Sequence, residues 1–179
     1  MKKPNLNSPA TLAECETAHR QGVTEGNGEG LAIYLSVMRD KFGKSSKALY
    51  RIWQRTEHEC TAISFDGSLI ADYERELREL IKQDICPYMA DIVHAYKPPS
   101  QPIRYKDVLR CGRQGREAGW QFATLVFLRA IRFAEGYAKT RLIRVYDAAC
   151  EMRDSVRKGY IDIADLEQVL LDEAGIKVV

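Results

Sequence analysis

Apolar residues recur along most of this chain at three- and four-residue steps, the spacing that gathers them on one face of an α-helix. The clearest case follows Asp66-Gly67. There Ile70, Tyr73, Leu77, Leu80 and Ile81 form one stripe, while Asp72, Glu74, Arg75, Glu76, Arg78, Glu79 and Lys82 cover the other side. Glu74 and Arg78 stand at the favourable i,i+4 spacing, and Ser68 is placed to cap the helix. A second stripe, Leu49, Ile52, Trp53, Cys60 and Ile63, follows Ser45 and Ser46, either of which can cap it. A third spans residues 31–42 and stops at Gly43. Ser8-Pro9 signals a first short helix over residues 10–21, ended by Gly22. Between these two lie Gly26, Gly28 and Gly30 among polar residues, the composition of a flexible loop.

Pro87 is expected to break the helix after Gly67, because it removes a donor and clashes with the preceding turn, leaving residues 88–96 as a short continuation. Pro98-Pro99-Ser100-Gln101-Pro102 is too proline-rich for a helix or a central strand and reads as a linker. Residues 105–111 form a short helix candidate before a break at Gly112 to Gly115. From Trp120 to Phe133 the apolar residues lie almost all round a helix, so this segment is expected to be central and buried. The pattern continues through Tyr137, Leu142, Val145 and Cys150, and a last helix over residues 164–173 runs from an Asp162 cap to Gly175. No segment alternates as a half-buried strand does. The expected fold is all-α: a compact multi-helix bundle around a buried central helix. Residues 1–97 and 103–179 form two helical parts that share one core across the linker at residues 98–102, with two helical subdomains as the variant.

With 45% hydrophobic and 29% charged residues in 179, the chain is expected to fold unaided. The N-terminus leads into polar residues rather than an apolar run, and no stretch approaches the roughly 18 apolar residues a bilayer span requires. The expectation is a cytoplasmic protein with no membrane partner. Cys15, Cys60, Cys86, Cys111 and Cys150 are scattered, odd in number and without a C-x-x-C pair, which fits unbridged thiols in a reducing compartment.

Chemistry-bearing patterns are sparse. His19, His58 and His94 fall in different predicted helices, and His58-Glu59-Cys60 lacks the further ligands that zinc requires. Residues 154–165 trace the outline of a calcium loop, but Val156 and Lys158 stand where oxygen ligands belong. Gly26-Asn27-Gly28-Glu29-Gly30 lacks the Lys-Ser/Thr ending of a phosphate-binding loop. No nucleophile elbow or catalytic cysteine signature occurs. No metal, no cofactor and no enzymatic activity are expected.

Charge changes the picture. Residues 97–158 carry 14 Lys and Arg against 6 Asp and Glu, a balance of +8, whereas residues 1–96 stand at −2 and residues 159–179 at −4. Ten of the 14 cations are Arg, whose planar fork suits phosphate oxygens. The densest group is Arg104, Lys106, Arg110, Arg113 and Arg116. Arg129 and Arg132, set in the most apolar segment, are expected to be paired internally or to line a groove, because an unpaired buried charge is expensive. Residues 33–54 have the order of a helix-turn-helix, whose second helix would present Lys47, Tyr50, Arg51 and Gln54. Arg39 and Lys44 occupy places where that motif wants small or apolar residues, so an ordinary helical hairpin fits better. These features point to a non-enzymatic helical binding protein that engages nucleic acid, or a nucleic-acid-handling complex, through its basic middle. The alternative is a protein-interaction module or inhibitor, of the kind phage or plasmid accessory proteins supply, seated on a partner's acidic or nucleic-acid-binding groove. A homodimer is compatible with either.

Overall fold

A computed structural model of the chain describes residues 5–82 and 96–178. Of the described residues 77% are helical, in six helices and without strands. They are α1 (Leu12–Asp40), α2 (Ser46–Phe65), α3 (Leu69–Ile81), α4 (Tyr105–Glu135), α5 (Lys139–Arg157) and α6 (Ile163–Ala174). Pro87, Cys86, His94 and the predicted helix over residues 88–96 fall wholly or mostly outside the described residues.

Two sequence expectations are corrected. The residues read as a short helix, a glycine loop and a second helix are one continuous helix of 29 residues, α1, capped by Thr11 rather than Ser8. The Glu14 N–H donates to Thr11 Oγ1 at 3.2 Å, and the Thr11 N–H donates back to Glu14 Oε2 at 2.6 Å. Likewise α4 runs unbroken through Gly112 and Gly115. The glycines are there for closeness rather than flexibility. A Cβ on Gly26 would lie 2.8 Å from the Arg116 Cα, and one on Gly119 would lie 2.6 Å from the Asn27 nitrogen. Glycine in a helix interior costs about 1 kcal/mol relative to Ala, and here the backbone-to-backbone packing of α1 on α4 offsets it.

The partners rise together along both helices, with His19 beside Gly115, Val23 beside Gly119 and Gly30 beside Ala123, so α1 and α4 are parallel. Higher up, Tyr34 stacks on Phe127 at 4.9 Å and on Trp120 at 5.5 Å, and its hydroxyl donates to Thr124 Oγ1 at 3.0 Å. These rings and Ile33, Leu35, Leu125, Val126 and Leu128 form the centre of the core.

The architecture is an internal duplication. α4 and α5 begin 93 residues after α1 and α2 (105 less 12, 139 less 46), and α6 follows α3 by nearly the same offset. At that spacing Arg20-Gln21-Gly22 matches Arg113-Gln114-Gly115, and Gly43 (φ 60°) matches Gly136 (φ 66°) at the left-handed ends of the two long helices. Contacts between the halves are reciprocal. Gly22 meets Gly112 while Gly115 meets His19; Lys44 meets Glu135 while Phe42 meets Tyr137; Arg51 meets Glu135 while Phe42 meets Arg144. Such exchange of partners is the signature of a two-fold relation. Each helix packs mainly on the opposite half: α1 on α4, α2 on α4, and α5 and α6 on α1. The halves are therefore intertwined around one core.

Candidate functional site

Arg104 is the N-cap residue of α4, and its guanidinium donates to the Asn7 carbonyl at 3.0 Å. Lys106, Arg110 and Arg113 follow at steps of four and three and are all exposed, so they share one face of the first turns of α4. Arg110 pairs with Asp107 at 3.1 Å, and Arg116 reaches Glu25 at 2.6 Å and Glu29 at 3.9 Å. The arginine side chains of these pairs are more than half exposed, and exposed ion pairs are worth about 0–1 kcal/mol, so either can be exchanged for a phosphate. Lys106 and Arg113 have no acidic partner among the described residues. Arg113 and Arg116 also flank an open groove between α1 and α4, bounded by Gln21, Glu25 and Leu109. The five predicted residues are thus gathered at one end of the molecule, with acids from α1 among them.

Lys47, Tyr50, Arg51 and Gln54 are exposed on α2, but no helix-turn-helix holds them. The connection is five residues long (41–45), and α2 packs mainly on α4 and only lightly back on α1, which is not the compact two-helix unit that motif requires. Arg51 and Lys44 both reach Glu135, whose side chain is 7% exposed. Burial pushes the Glu135 carboxyl up, and the hydrogen bonds from Lys44 and Arg51 outweigh it and hold the group below its ordinary pKa.

The two arginines of the apolar helix are paired internally. Arg129 Nε donates to Glu59 at 2.9 Å, and Arg129 and Arg132 share Glu76. In the second half Arg153 clasps Glu117 with two bonds, 3.1 and 2.8 Å, above the Trp120 ring, and Arg157 adds a third at 3.0 Å. The matching positions in the first half hold Cys60, Thr24, Asn27 and Ser64, and a shallow recess between Asn27, Trp53, Thr56 and Cys60 lies there instead.

Among the described residues no three His, Cys, Asp or Glu converge to hold a metal ion. Residues 158–162 form the turn from α5 into α6, where Asp162 accepts the Ala164 N–H at 2.9 Å as a helix cap. Cys15, Cys60, Cys111 and Cys150 are free thiols, and Cys86 lies outside the described residues. Burial, with Cys111 close by, pushes Cys15 up to about 11, and burial raises Cys60 to about 11, so neither is a thiolate at neutral pH. No described helix is long and apolar enough to cross a membrane.

Sequence reasoning missed the duplication, and with it the pairing of Lys44, Arg51, Tyr137 and Arg144 across the two halves. The repeated Arg-Gln-Gly tripeptide was the available signal. Comparison of the chain with protein-family models, with curated proteins and with solved structures finds no match.

Proposed function

We propose that this protein is a non-enzymatic binding protein that engages nucleic acid, or a complex that handles it, through its basic surface. The observation that carries this reading is the exposed stripe Lys106, Arg110 and Arg113 on α4, with Arg104 before it and Arg116 after it. Arginines spaced along one helix face can each take a phosphate oxygen, and such contacts position a protein without reading bases. Titrating a labelled DNA or RNA oligonucleotide at two salt concentrations tests it. Replacing Arg110, Arg113 and Arg116 with Ala is expected to flatten the log–log salt slope by roughly two to three units, since each phosphate contact releases about one counterion. Unchanged binding by that variant would remove the stripe from the reading.

The pairing of Arg116 with Glu25 and Glu29, and of Arg110 with Asp107, favours a second reading, in which the stripe meets an acidic protein surface. In that case the same triple substitution disrupts a protein complex, and no nucleic acid binds at physiological salt.

A further inference from the structure

We infer that the two halves jointly build a second binding face, at the turns joining α1 to α2 and α4 to α5, and that it takes the two sugar-phosphate backbones of a nucleic-acid duplex. This rests on the nucleic-acid reading but on residues other than the α4 stripe. Residues 41–56 contain Lys41, Lys44, Lys47, Arg51 and Arg55 and no carboxylate, and residues 136–146 contain Lys139, Arg141 and Arg144 and none. Eighty-four positions or more separate the cations of one segment from those of the other (139 less 55), so no local reading joins them; the fold does. Lys44 Nζ lies 5.3 Å from the Tyr137 ring, Arg141 lies over the same ring at 5.3 Å, Phe42 stands 6.2 Å from Tyr137, and Arg144 covers Phe42 at 5.9 Å. The cations therefore occupy one continuous surface across the two-fold relation.

The face keeps its charge. Lys41, Lys47, Arg51, Lys139, Arg141 and Arg144 are all exposed. Its one interior acid, Glu135, is buried and shared by two cations, which leaves a local excess. Asp40 and Glu173 stand at the margin and are turned to Arg39. Aromatic contacts hold Arg141 and Arg144 in place without neutralising them. By contrast, acids from α1 reach into the α4 stripe.

Each half brings three exposed cations to the face, and of these Arg51 and Arg144 correspond at the 93-residue spacing; positive charge contributed from both sides of the two-fold relation fits a ligand with two charged strands, and a duplex is such a ligand. Single-strand binding stacks successive bases on several open aromatic rings, whereas here Phe42 and Tyr137 lie under Arg144, Lys44 and Arg141 and Tyr50 is the one exposed ring of the two segments.

The test uses the full chain, a labelled mixed-sequence DNA duplex, its single strand, and anionic phospholipid vesicles. Lys47→Ala in one half and the pair Lys139→Ala and Arg141→Ala in the other break no acid pair, and circular dichroism checks that helix content is retained. The expected result is that duplex binds more tightly than single strand or vesicles, and that each set of substitutions weakens it. Together they should cost at least tenfold at physiological salt and lower the salt slope by about two to three units. Preference for single strand or vesicles, or weakening from one half alone, would overturn the two-fold face. If wild type binds duplex, the triple variant binds as well, and the Arg110, Arg113 and Arg116 substitutions abolish binding, the face falls while the nucleic-acid reading stands. If wild type binds no nucleic acid even at low salt, both fall.

Discussion

Arg129 on α4 donates to Glu59 on α2 at 2.9 Å, in a setting where the Glu59 side chain is 1% exposed and the Tyr73 ring lies 3.7 Å beneath the guanidinium. This pair joins the two halves, and the duplication has no second copy of it. The positions matching Arg129, Glu59, Tyr73 and Glu76 are Ser36, Met152, Leu166 and Val169. One interface across the two-fold relation is ionic, and its counterpart is apolar.

Removing one member takes away the other's partner from the opposite half: without Arg129, Glu59 keeps only Arg55 as a charged partner, and without Glu59, Arg129 keeps only Glu76. Arg129→Met is expected to cost about 1.5–3 kcal/mol in urea unfolding, the loss of a charged hydrogen bond at a carboxylate that retains Arg55, whereas Glu59→Met with Arg129→Ser, which copies the other interface, should recover most of that loss. Equal losses in the single and double variants would show that the pair matters only as packing.

The same asymmetry specifies which half pairs with which. If the second half paired with the second half of another chain, Arg129 would face Met152 with no acid. After refolding at high concentration, the double variant is therefore expected to contain more dimer joined through like halves than wild type, as measured by light scattering. Identical distributions would count against a role for the pair in choosing partners.

Gly26→Ala separates close packing from flexibility by its sign. In a loose segment that adopts helix, Ala would gain up to about 1 kcal/mol. Against the Arg116 backbone it must push the helices apart, and a loss of about 3 kcal/mol or more is expected. Gly43→Ala meets nothing within 4 Å and should cost only the left-handed strain, about 1–2 kcal/mol. Comparing the two unfolding midpoints is the check.

Acid sensitivity follows from Glu59, Glu117 and Glu135. Burial raises each carboxyl, but the bonds from Arg129, from Arg153 and Arg157, and from Lys44 and Arg51 respectively leave each below the ordinary value of 4.5. A lowered folded pKa means stability that is fully present above 4.5 and lost as the pH falls through the folded values. Urea midpoints should hold near neutrality and drop below pH 4.5, and Glu117→Gln should drop less steeply there. A pH-independent midpoint down to pH 3 would contradict these pairings.

Much of the fold was legible from spacing alone. The Ile70 to Ile81 stripe became α3, the all-round apolar segment from Trp120 to Phe133 became the buried part of α4, and Asp162 capped α6. The glycines misled because the same residue serves mobile loops and close helix crossings, and only a partner helix distinguishes the two. Gly22, Gly26 and Gly30 recur at the four-residue step of one helix face, and Gly115 and Gly119 repeat it, but the face they contact is more than 80 residues away in sequence (115 less 30). The duplication stayed hidden because the halves diverge where they touch, with Ser36 against Arg129 and Phe42 against Glu135. The α4 stripe was visible as a local cluster. The second basic face was not, since its two segments meet only through the two-fold relation.

The most direct measurement of the central claim is the salt dependence of duplex binding by the unmodified protein. Contacts from exposed Lys and Arg to phosphates predict a linear fall of log affinity with log salt and a slope of about −3 or steeper, with little preference between sequences of equal length. Binding that is absent at low salt, or indifferent to salt, would contradict the account.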